Sequence, residues 1–103
     1  MTATLTDLQI SVKSQQYVRV PVSEASGAEE TGDGVTMGFP TTGTDPTTFY
    51  TADWVTLDGT FYARCLVGPT GAATLPVGYY DVYVKVSDSP ETPVLLAGTL
   101  EVF

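Results

Sequence analysis

Apolar and non-apolar residues alternate one for one along most of this chain, and no stretch carries the three-to-four-residue spacing of an amphipathic helix. Alternation places successive side chains on opposite sides of an extended backbone, so each run reads as a strand with one buried face. Leu8, Ile10 and Val12 alternate with Asp7, Gln9, Ser11 and Lys13, and Val18, Val20 and Val22 with Tyr17, Arg19 and Pro21. Pro21 has no N–H to give to a ladder, which places the second run at a sheet edge or bends it there. Val35, Met37 and Phe39 form a third run before Pro40. Asp58-Gly59 supplies the positive φ angles of a tight turn between a short Trp54 to Leu57 strand and the strand Thr60 to Val67. Gly78 opens a strand with Tyr80, Val82, Val84 and Val86 on one face and Tyr79, Asp81, Tyr83 and Lys85 on the other. The last run puts Val94, Leu96, Leu100 and Val102 on one face, with Gly98 marking a gap or bulge.

About six to seven short strands, with a turn signal about every ten residues, predict an all-β fold: an antiparallel immunoglobulin-like β-sandwich, with a small β-barrel as the alternative. A chain of 103 residues is long enough for one core and too short for two, so residues 1–103 are expected to form a single domain. The acidic, Gly-containing stretch 24–34 lacks core-forming residues and is expected to be a mobile loop.

The formal net charge of −8 repels phosphate backbones and anionic lipid heads, which argues against nucleic-acid and membrane partners. The single cysteine, Cys65, cannot form an internal disulfide; in "FYARCLVG" it shares its phase with Phe61, Ala63 and Val67 and reads as a small buried hydrophobe. "MTATLTDLQISV" has neither the basic nor the apolar region of a leader, so synthesis in the cytoplasm is expected.

Histidine is absent, and with it the commonest general base and zinc ligand. Asp53 and Asp58 flank Trp54 as a carboxylate pair, but Asp58 already has a role in its turn. Glu29, Glu30 and Asp33 offer oxygens to a calcium ion without the spacing of a known loop, and a solvated acidic loop is the simpler reading. "GPTG", residues 68–71, lacks the lysine and helix of a phosphate loop. No enzyme activity, cofactor or metal site is therefore expected. The residues left over are aromatic: Tyr79 and Tyr83 share the face opposite the valines, and Tyr17 and Tyr62 lie on equivalent off-phase positions. Outward aromatics anchor protein interfaces, and they also form sugar-binding platforms, for which Trp54 is a further candidate.

The segments "VTMGFP", "ADW", "LVGP", "LPVGYYDVYVKVSDSPETPV" and the closing "AGTLEVF" together resemble small immunoglobulin-like virion proteins of tailed bacteriophages, particularly those of actinobacterial hosts. The resemblance implies a non-enzymatic virion structural protein, foremost a capsid decoration protein bound to the assembled shell. A head-to-tail connector or tail component, or a receptor- or glycan-binding module, is the alternative. The implied partners are the phage major capsid protein or head-tail proteins, with a homo-oligomer possible, and the implied location is the virion. The candidate interface residues are Tyr79, Tyr83, Leu95, Phe103, Tyr62 and Tyr17, and if the last strand is a sheet edge it offers its backbone as well.

Overall fold

The alternating runs pair into two sheets. A computed structural model describes the chain apart from Met1, Thr6 and residues 24–33 and 88–91. Residues 24–33 of the expected mobile loop, with its acids Glu29, Glu30 and Asp33, therefore lie outside the described residues, as does Pro90 of the last loop, while Gly34 opens a strand. The strands are β1 (Thr2–Ala3), β2 (Leu8–Ile10), β3 (Gln16–Ser23), β4 (Gly34–Gly38), β5 (Tyr50–Thr51), β6 (Asp53–Leu57), β7 (Thr60–Val67), β8 (Gly78–Ser87) and β9 (Val94–Val102). One sheet has the order β1-β3-β7-β6 and the other β2-β9-β8-β4-β5. This is the A-B-E-D and G-F-C arrangement of an immunoglobulin-like sandwich, with β2 and β5 flanking the second sheet. Among the described residues no helix is long and apolar enough to cross a membrane.

Alternation identified the inward residues well. Val18, Val20 and Val22 on β3 and Ala63, Cys65 and Val67 on β7 join Val35 and Met37 on β4 and Tyr80, Val82, Val84 and Val86 on β8 in one buried cluster. Asp58 (φ 50°) and Gly59 (φ 79°) make the predicted turn between β6 and β7. At the start of β8 the buried Tyr80 donates its hydroxyl to the carbonyl of Pro76 at 2.6 Å, the tyrosine corner of this architecture. Burial pushes the Tyr80 phenol above its ordinary pKa.

Four features differ from the sequence expectation. First, β1 and β5, of two residues each, are too short to show a period. Second, one pairing is parallel: β2 runs alongside β9, with Leu8 opposite Leu100 and Ile10 opposite Val102. The last strand is consequently interior, between β2 and β8, so the condition under which it would offer its backbone to a partner is not met. Third, β3 is also interior despite Pro21. The Pro21 carbonyl accepts from the Thr4 N–H, so the proline nitrogen lies on the same side, facing β1 where β1 ends, and no bond to β7 is lost.

The fourth is a change of phase in β9. The register passes from Val82 opposite Gly98 to Tyr83 opposite Leu96, which leaves Ala97 as the extra residue of a bulge. Leu100 and Val102 point inward as expected, but Val94 and Leu96 point out, and Leu95 turns in against the core. At the bulge the Leu5 N–H donates to the Ala97 carbonyl at 2.9 Å as the chain passes from β1 to β2. A Cβ on Gly98 would lie 2.4 Å from the Leu5 carbonyl oxygen, so this crossing requires glycine.

Two outcomes are expected in urea unfolding. Tyr80→Phe removes one hydrogen bond from a solvent-reachable carbonyl and lowers stability by about 1 kcal/mol. Gly98→Ala forces backbone apart at the bulge and lowers it by about 1–3 kcal/mol; an unchanged midpoint would show that the crossing relaxes freely.

Candidate protein interface

The four tyrosines among the six predicted interface residues divide between two opposite surfaces, because β8 belongs to one sheet and β3 and β7 to the other. Tyr79 and Tyr83 lie on the outer face of the five-stranded sheet, Tyr17 and Tyr62 on that of the four-stranded one. Leu95 belongs to neither surface, since the bulge turns it against the core. Phe103 follows the last residue of β9 and is exposed. Trp54 is opposite Ala63 on the inner side of β6 and packs, half-buried, against the core, so it does not join the tyrosines in one aromatic platform.

The outer face of the five-stranded sheet is built in cross-strand rows. At one end Tyr79 pairs with Glu101, whose carboxylate accepts from the Gln9 amide at 2.9 Å. In the next row Asp81 pairs with Thr99, whose hydroxyl donates to Asp7, while Asp81 accepts from the Gly43 N–H at 3.0 Å. Beyond the bulge Tyr83 pairs with Leu96, and Lys85 with Val94. The Lys85 ammonium lies 4.8 Å from the centre of the Phe49 ring. Tyr79 is 67% and Leu96 59% exposed, and Val77 and Phe103 are exposed at the end of the same two strands. Large apolar side chains sharing one sheet face are unusual on a surface that meets only water. Leu96 escaped the sequence reading because it shares its phase with Leu100 and Val102; Gly98 was the signal that the phase changes.

The four-stranded face is organised around arginine. Both arginines of the chain meet there, Arg19 directly opposite Arg64. Like charges in register repel, and the neighbours relieve it. Asp53 holds Arg64 through two bonds, Nε to Oδ1 at 2.9 Å and Nη2 to Oδ2 at 3.1 Å, which holds the guanidinium pKa up. The Tyr17 ring lies 4.2 Å from the Arg64 guanidinium and 5.7 Å from that of Arg19. Asp53 is thus engaged with Arg64 and Asp58 with its turn.

Cys65 is buried on the inner side of β7, and burial raises its thiol from 9.0 to about 11. Comparison of the chain with protein-family models, curated proteins and solved structures finds no match.

The thiol gives a direct check. Because its folded pKa lies above the unfolded value, its contribution to stability is complete below about pH 9 and is lost as pH rises toward 11. Native protein at pH 8 is expected to resist a thiol reagent that labels the urea-unfolded chain at once; rapid native labelling would contradict the burial.

Proposed function

We propose that this chain is a non-enzymatic structural module that docks on a protein assembly through the outer face of its five-stranded sheet. On the resemblance its motifs carry, the assembly is the capsid of a tailed phage and the module is its decoration protein. The observation that carries the reading is the exposure of Tyr79 and Leu96 on one sheet face, with Tyr83 paired beside Leu96. Aromatic anchors on a rigid surface are the residues that dominate protein–protein binding energy. The lack of histidine in the sequence and the engagement of Asp53 and Asp58 favour a binding role over catalysis.

The phage reading is tested by mass spectrometry of purified particles of the phage that encodes the chain. A copy number near that of the major shell protein supports decoration; a few copies per hundred point to a connector or tail component; absence from particles overturns the reading. Co-sedimentation with shells tests the face. Tyr79→Ala combined with Leu96→Asp is expected to weaken binding at least about tenfold, and Tyr62→Ala on the opposite face to leave it unchanged.

A further inference from the structure

Beside Tyr79 the docking face is hollowed into a depression of about 510 Å³, bordered by Asp7, Gln9, Thr42, Tyr79, Thr99 and Glu101. We infer that this depression seats a basic side chain, an arginine or a lysine, presented by the protein on which the face docks. The inference rests on the docking reading above and names the chemistry of its partner.

The border supplies the two things a guanidinium or ammonium needs. Asp7 and Glu101 bring carboxylates that are already oriented, Asp7 by the Thr99 hydroxyl and Glu101 by the Gln9 amide. Each carboxylate still has acceptor sites to spare, since one hydrogen bond does not fill its two oxygens. Tyr79 brings an exposed ring whose face attracts a cation. Among the described residues no lysine or arginine borders the depression, and Lys85 lies at the far end of the face, over the Phe49 ring. Asp81 adds a further negative charge in the row beside Tyr79.

Burial decides between possible occupants. A partner that covers this face takes the Asp7 and Glu101 carboxylates out of water. Against an apolar or neutral surface those charges would be left uncompensated, and against an acidic one they would repel; a cation removes the penalty. A neutral sugar could use the acceptor oxygens but would not neutralise either carboxylate. The net charge of −8 works in the same direction at longer range by drawing a basic surface toward the molecule.

The test is an NMR titration of the isotopically labelled full chain with a capped Gly-Gly-Arg-Gly-Gly peptide. The control carries citrulline, which keeps the shape of arginine and loses its charge. The arginine peptide is expected to shift the Tyr79, Thr99 and Glu101 amides at millimolar concentration, and the response should weaken as salt rises. The citrulline peptide, and the Tyr79→Ala and Glu101→Gln variants, should each bind about tenfold more weakly. Circular dichroism confirms that the variants are folded. Equal binding of the citrulline peptide, shifts confined to the Tyr17 and Arg64 face, or no shift at all would each overturn the inference. Shell binding separates this from the docking reading. If wild type and Glu101→Gln sediment with shells equally well, the docking face stands and the seated cation does not. If neither sediments, the docking reading falls, and the peptide titration still judges the depression.

Discussion

Valine side chains meeting across the gap between two sheets set the terms for the rest of this molecule. Val18, Val20 and Val22 on β3 and Val82, Val84 and Val86 on β8 belong to one buried cluster, and with a single cysteine in the chain no internal disulfide shares the task. Burial of these side chains is the main favourable contribution to folding. It also sets the phase of every strand that carries them. Once alternate residues are inside, the residues between them are committed to the surface, and Tyr79, Asp81, Tyr83 and Lys85 become neighbours on one face as a consequence of that phase.

What the sequence revealed follows from that local rule, and what it concealed is non-local. The strands of the core, the Asp58-Gly59 turn and the buried state of Cys65 could be read from alternation and turn chemistry, because each depends on residues a few positions apart. The assignment of strands to sheets could not be read this way. Tyr17 and Tyr62 carry the same pattern as Tyr79 and Tyr83, yet the two pairs face opposite directions. The interior position of Pro21 depends on where β1 stops, and the parallel partner of β9 is more than ninety residues earlier in the chain. Gly98 pointed to a bulge, but whether one residue or none was extra decided if Leu95 or Leu96 would meet solvent.

The two outer faces differ in kind. The four-stranded face compensates its own charge: Arg64 is held by Asp53 and shares the Tyr17 ring with Arg19. On the five-stranded face, among the described residues, a neutral hydroxyl meets the carboxylate of Asp7 and a neutral amide that of Glu101, while Lys85 lies over the Phe49 ring. A surface with internal compensation gains little from a charged partner. A surface whose anions have only neutral neighbours discriminates among partners by the sign of what they bring.

The parallel pairing of β2 with β9 also has a mechanical meaning. Both strands run in the same direction, so tension applied before Leu8 and after Val102 pulls them past one another lengthwise. The hydrogen bonds between them, continued by Phe103 N–H to Ile10 and Val12 N–H to Phe103, then bear the load together instead of opening one at a time. A module strained along its own chain would hold by shear, with its resistance set by this short ladder and not by the core behind it.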